Sequence, residues 1–148
     1  MAFAFYKQET KYTCGAASMR MALENVGIRK SEKAIVRLLG TSKRRGTRHD
    51  AYPRIAEKYK LNYVVHRNAT IADLKEFHAK GFTVILCYHY APEDIDHSAV
   101  LKDIDEDNVC LLDPWFGPDH KYPLPQFKEI WISKYDNEKS WFFAIKKP

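Results

Sequence analysis

Residues 82–90, Phe-Thr-Val-Ile-Leu-Cys-Tyr-His-Tyr, are a long run of β-branched and aromatic side chains without a formal charge. Such a run reads as a central strand, so the chain has to fold round a sheet. Upstream of it the pattern is mostly helical. From Cys14, the residues Ala16, Met19, Leu23 and Val26 recur at spacings of three and four, one face of a helix that Gly27 stops. Ser31 caps a second helix carrying Ala34, Ile35, Leu38 and Leu39, with Gly40 just past its end. Residues 41–48 are polar and contain glycine, hence a loop. With Asp50 as N-cap, Pro53 falls in the first turn of a third helix over 51–59, where its missing N–H is not needed. Residues 61–66 are rich in β-formers, and Thr70 with Asp73 makes a capping box for a helix through His78 that ends at Gly81.

Downstream of the run the signals turn to strands. A loop over 91–96 leads to a strand over 97–104, and a turn at 106–108 reverses into a strand over 109–113, a hairpin. Residues 114–118, Pro-Trp-Phe-Gly-Pro, form a rigid turn-rich loop. Pro125 opens a short helix with Phe127, Ile130 and Trp131, and a final strand over 141–145 closes the sheet. At the other end, residues 3–6 suit a short edge strand or a packed arm. Helices first and mostly antiparallel strands after them make an α+β layout, with the N-terminal helices packed on an antiparallel sheet.

The whole-chain numbers narrow the function. A length of 148 residues predicts one domain, 1–148, large enough for a core without disulfide staples. Three cysteines, Cys14, Cys87 and Cys110, are an odd number without CxxC spacing, which argues against a disulfide framework or a zinc site. No metal or cofactor is expected. The apolar stretch at 1–6 is too short for a secretory signal, and no later stretch approaches the ~18 apolar residues of a membrane span. A cytoplasmic, reducing location is the expectation. The basic run Lys43-Arg44-Arg45 has no aromatic platform beside it, so it reads as a solvated loop or as a device to steer acidic peptides; no nucleic acid is expected.

One stretch carries chemistry. Gln8 lies six residues before Cys14, which opens the first helix and is followed by small residues, Gly15-Ala16-Ala17. A helix N-terminus favours thiolate over thiol, and an amide folding back from Gln8 offers donors near the same sulfur. The base must come from elsewhere in the chain. His49 and His120 lie in polar loops, His66 at a strand end, His78 on an exposed helix, and His89 within the long strand. His97 opens a strand directly after a loop, and Asp113 ends the partner strand sixteen residues later. If these two strands pair, Asp113 accepts from one ring nitrogen of His97 and the other nitrogen faces the sulfur.

The order Gln8-x5-Cys14-Gly15-Ala16-Ala17, then His97-Ser98-Ala99-Val100-Leu101, then Leu111-Leu112-Asp113-Pro114 resembles the papain-like cysteine peptidases that process bacteriocin precursors after a double glycine, most of all the broader group of C39-like domains. The resemblance implies a papain-like α+β fold, Cys14 as nucleophile, His97 as general base, Asp113 as its orienter, and Gln8 with the Cys14 backbone N–H as oxyanion donors. It implies a peptide or protein substrate such as a leader peptide, cut through a thioester acyl-enzyme, and a separate transporter as a conceivable partner. Asp96 stands before His97 where a small residue is expected, and an acid there would raise the histidine's pKa or narrow the cleft. Two other readings use the same residues: acyl transfer or transpeptidation by the Cys-His-Asp set, and an inactive domain that binds leader peptides without turnover.

Overall fold

The computed structural model describes residues 3–148; Met1 and Ala2, part of the apolar N-terminal stretch, lie outside the described residues. Strands β1 (Asn62–His66), β2 (Thr83–Tyr90), β3 (Ile95–Ile104), β4 (Asn108–Asp113) and β5 (Gly117–Pro123) share one antiparallel sheet with the last strand of the chain. Two short strands, β6 (Ile132–Ser133) and β7 (Glu138–Lys139), pair with each other outside it, and β8 (Phe142–Lys146) completes the six-stranded order β1-β8-β2-β3-β4-β5. The run marked out by sequence is thus interior, and seven of the eight β2 residues are buried.

It is buried because helices cover both faces. Helices α1 (Cys14–Asn25), α2 (Glu32–Leu39) and α3 (Tyr52–Lys58) pack with Ile85, Cys87 and Val100 on one side. On the other, Val84, Leu86 and Tyr88 pack with Leu74 of α4 (Ile71–Ala79) and with Leu124 and Phe127 of α5 (Leu124–Ile130). The alternation of side chains along β2 is what splits the core into two clusters. Phe142, Phe143 and Ile145 of β8 are fully buried between these layers, each worth about 1.5–3 kcal/mol of hydrophobic stabilisation.

The helix ends follow local chemistry. Ser31 Oγ accepts from Ala34 N at 3.1 Å, and Gly40 ends α2 in the left-handed region at φ 67°. Thr70 and Asp73 form the reciprocal capping box, with Asp73 N donating to Thr70 Oγ1 at 3.1 Å and Thr70 N to Asp73 Oδ2 at 2.8 Å.

Several expectations are revised. The final strand does not close an edge: β8 inserts between β1 and β2, so the last strand of the chain pairs with two much earlier ones. The loop expected over 114–118 gives way at Gly117 to β5, a strand not anticipated, which as an edge strand tolerates Pro118 and Pro123. Asp50 is not an N-cap; a 3-10 turn over His49–Ala51 precedes α3, with Pro53 in the first turn as expected. Strand β3 begins at Ile95, so His97 is its third residue and pairs with Tyr88. The N-terminal segment is a packed arm, with Phe3, Phe5 and Tyr6 against the first core cluster and the Tyr6 hydroxyl donating to Glu24 at 2.6 Å.

Candidate active site

Helix α1 starts at Cys14 with Thr13 in the capping position, yet Thr13 does not cap it. Its hydroxyl instead accepts from Thr10 N at 3.1 Å and lies 2.9 Å from the Thr10 hydroxyl, which draws residues 10–13 into a tight turn before the cysteine. The first N–H groups of the helix therefore receive no cap from the Thr13 side chain. Gly15 is required by close approach. A Cβ there would sit 2.4 Å from the Tyr52 hydroxyl oxygen and 2.7 Å from the Thr47 side chain. Tyr52 in turn shares a 3.2 Å hydrogen bond with Ser98 Oγ, tying α3 to β3 beneath the helix start.

The cysteine sulfur accepts from the Ser98 backbone N–H at 3.5 Å. Ser98 lies two residues beyond Val100↔Leu112, the last β3–β4 pair. Cys14 thus sits where β3 parts from β4, against the residue that follows His97. Contrary to the expectation of a favoured thiolate, burial pushes the Cys14 thiol up, only partly offset by the Ser98 and Gly15 N–H groups. Removing the sulfur from water costs the anion more than two backbone donors return.

His97 is buried among rings: Phe116 at 5.4 Å, Tyr88 at 5.6 Å, Tyr90 at 5.8 Å and Trp115 at 6.3 Å between centroids. Neither ring nitrogen has a hydrogen-bond partner among the described residues. Burial lowers its pKa, against the opposing pull of the Asp113 charge. The expected His97–Asp113 hydrogen bond is not made. Asp113, fully buried, accepts from the Tyr88 hydroxyl at 2.5 Å through Oδ2 and from Trp115 N at 2.9 Å and Phe116 N at 3.2 Å through Oδ1. It initiates the turn after β4 and acts on His97 through its charge. Burial, reinforced by Asp113, keeps the Tyr88 phenol protonated.

Gln8 is buried, and its Nε2 donates to Thr10 O at 2.7 Å while its Oε1 has no partner. A primary amide carries two hydrogens on nitrogen, so one donor remains. Gln8 N donates to Pro114 O at 3.0 Å, which ties the loop before Cys14 to the residue after Asp113.

A cleft of about 290 Å³ is lined by both Cys14 and His97, while Gln8 and Asp113 are not among its lining residues. Several other residues line it, Asp96, His49 and the Lys43-Arg44-Arg45 run among them. Asp96 pulls the His97 pKa upward as expected, but burial outweighs it and the net shift is downward. Its carboxylate accepts from Ser133 Oγ, Lys134 N and Tyr135 N at 3.0–3.2 Å and meets His89 Nδ1 at 2.8 Å, fastening the 133–135 segment over the strand end. His49 is not a surface residue: it is buried, stacked on Trp141 at 3.8 Å, and bonded to Glu138 at 2.8 Å. The Lys43-Arg44-Arg45 turn lies on the cleft wall. Local sequence marks Asp96 and the basic run but not their partners, nor the burial of His49, because Ser133, Tyr135 and Glu138 lie tens of residues away in the chain. Among the described residues no group of three or more His, Cys, Asp or Glu side chains could hold a metal ion, and no helix is long and apolar enough to cross a membrane.

The Peptidase C39-like family model matches residues 1–138, which places the chain in that family. Solved structures that share the fold include three peptidase domains. The peptidase domain of Streptococcus ComA, a bifunctional ABC transporter in a quorum-sensing pathway, is 14% identical with a TM-score of 0.81, over 99% of this chain and 100% of that one. A candidate C39-like peptidase from Bacillus anthracis is 16% identical with a TM-score of 0.78, over 99% and 95%. A double-glycine-motif protease from an AMS/PCAT transporter, solved with its leader peptide, is 23% identical with a TM-score of 0.72, over 99% and 92%. No curated protein matches the chain.

Proposed function

From its membership of the Peptidase C39-like family and from the cleft described above, we propose that residues 1–148 are one papain-like domain acting as a thiol endopeptidase, with Cys14 as nucleophile and His97 as base. The observation that carries this is the position of the Cys14 sulfur: at the start of α1, 3.5 Å from the Ser98 N–H, in the cleft that His97 also lines. Both groups rest neutral, the thiol held up and the imidazole held down by burial. A neutral imidazole is the competent base.

In the proposed reaction His97 takes the thiol proton as sulfur attacks the scissile carbonyl carbon. The second Gln8 Nε2 hydrogen and the Cys14 backbone N–H stabilise the oxyanion. The C–N bond breaks, the proton passes from His97 to the leaving amine, and a thioester remains. Water, deprotonated by His97, then releases the acid and restores the thiol. Asp113 favours the imidazolium formed on the way, through its buried charge. The substrate class is a peptide carrying a Gly-Gly-type leader motif, such as the one bound in the related transporter protease, and the reaction belongs in the cytoplasm, where Cys14, Cys87 and Cys110 stay unpaired.

A second reading, a peptide-binding domain without turnover, draws support from the Asp113 carboxylate being bonded to Tyr88 rather than His97. One experiment separates the two. Purified protein is incubated with double-glycine leader peptides, and iodoacetamide labelling is mapped by mass spectrometry. Cleavage that Cys14→Ala abolishes is expected; intact peptides with an unlabelled Cys14 would remove the peptidase reading.

A further inference from the structure

The cleft wall that carries no catalytic group is cationic. Lys11, Lys43, Arg44 and Arg45 all line the cleft that holds Cys14 and His97. Among the described residues none of the four forms an ion pair, whereas Arg48, the next cation in the run, pairs with Asp50 at 3.4 Å. The cleft's two carboxylates are already engaged. Asp96 meets His89 and accepts from the 133–135 segment, and Asp136 accepts from His49 N at 3.1 Å and lies 3.4 Å from His49 Nε2. The positive charge facing the cleft is therefore not neutralised by the protein itself.

The backbone that carries three of these cations, Lys43, Arg44 and Arg45, is held in place. Residues 42–46 form a closed turn, with Ser42 N donating to Gly46 O at 3.1 Å and Gly46 N to Ser42 O at 2.7 Å. Arg45 N donates to Ser42 Oγ at 3.1 Å, and the Thr41 and Thr47 hydroxyls are 2.7 Å apart. Arg45 Nη2 reaches across to Tyr135 O at 3.0 Å, spending one of the five N–H donors of its guanidinium. A rigid turn presenting unpaired cations to a concave site recognises anionic groups at a small entropic cost.

We propose that Lys11, Lys43, Arg44 and Arg45 form a subsite for acidic side chains, so that the segment bound next to the scissile bond is rich in Asp or Glu. The inference deepens the peptidase reading and rests on it for turnover, but not for binding. A peptide fits these observations better than a broad polyanion because the cations line the same cleft as Cys14 and His97.

The test uses three fluorescein-labelled peptides that share a central Gly-Gly and differ in having flanking Glu, Gln or Lys. Binding is measured by anisotropy with the Cys14→Ala protein. The Glu peptide is expected to bind about tenfold tighter than the Gln peptide at low ionic strength, with the gap closing as salt shortens the Debye length. In the Cys14→Ala background, Lys43→Glu/Arg44→Glu should invert the ranking of the Glu and Lys peptides and Lys43→Gln/Arg44→Gln should flatten it. Equal binding of the three peptides, or a ranking untouched by both double variants, overturns the proposal. The parent reading fails separately: equal cleavage of all three peptides by the wild-type protein overturns only the acidic subsite, and charge-ranked binding without cleavage of the Glu peptide overturns only the peptidase.

Discussion

Tyr88→Phe isolates the contact that replaces the expected His97–Asp113 bond. The hydroxyl of Tyr88 donates to Asp113 Oδ2 at 2.5 Å inside the protein, and that oxygen has no other hydrogen-bond partner among the described residues. The ring itself is fully buried and would be retained, so almost no packing changes. Removing a donor to a buried carboxylate costs about 1.5–3 kcal/mol. For a chain of this size that corresponds to roughly 4–10 °C in Tm. The two N–H groups on Oδ1, from Trp115 and Phe116, remain and keep the turn after β4 in place. The carboxylate would then bear more of its charge toward His97, whose pKa Asp113 already pulls upward against burial. In the proposed mechanism His97 acts as base only when neutral, so the acid limb of kcat/KM should move to higher pH. Thermal unfolding and a pH–rate profile of the same variant check both halves. A loss below about 0.5 kcal/mol, well under that range, would show that the hydroxyl is not what satisfies Asp113. An unshifted acid limb would show that Asp113 does not act on His97.

Two further predictions concern the cysteine. Iodoacetamide labelling of Cys14 should rise through alkaline pH, because burial pushes the thiol above its ordinary range and disfavours the thiolate at neutral pH. A reactivity plateau from pH 5 to 7 that His97→Ala removes would instead show a thiolate–imidazolium pair. Gly15→Ala should destabilise by about 1–3 kcal/mol or more, because the added Cβ meets two tethered side chains, Tyr52 and Thr47. Urea unfolding measures it, and an unchanged midpoint would mean that the α1 start can move away from α3.

What could be read before folding was local. The three-and-four spacing after Cys14, the Ser31 cap, the Thr70–Asp73 box and the charge-free run at 82–90 each act within a few residues, and each formed as expected. The ordered motifs around Cys14, His97 and Asp113 pointed to the family in the same way, because they are contiguous stretches of chain. Three-dimensional packing decided the rest. β8 inserts between β1 and β2 because its Phe142–Ile145 segment needs cover on both faces. Arg45 and Tyr135, ninety residues apart, meet across the cleft. Asp113 prefers Tyr88 to His97 because the register of β2, β3 and β4 puts a phenol within 2.5 Å of it. Caps and periodicities are settled by neighbours along the chain. Which groups share a buried site, and which of them stay charged there, depends on contacts and desolvation that exist only after the sheet and its two helical layers have closed.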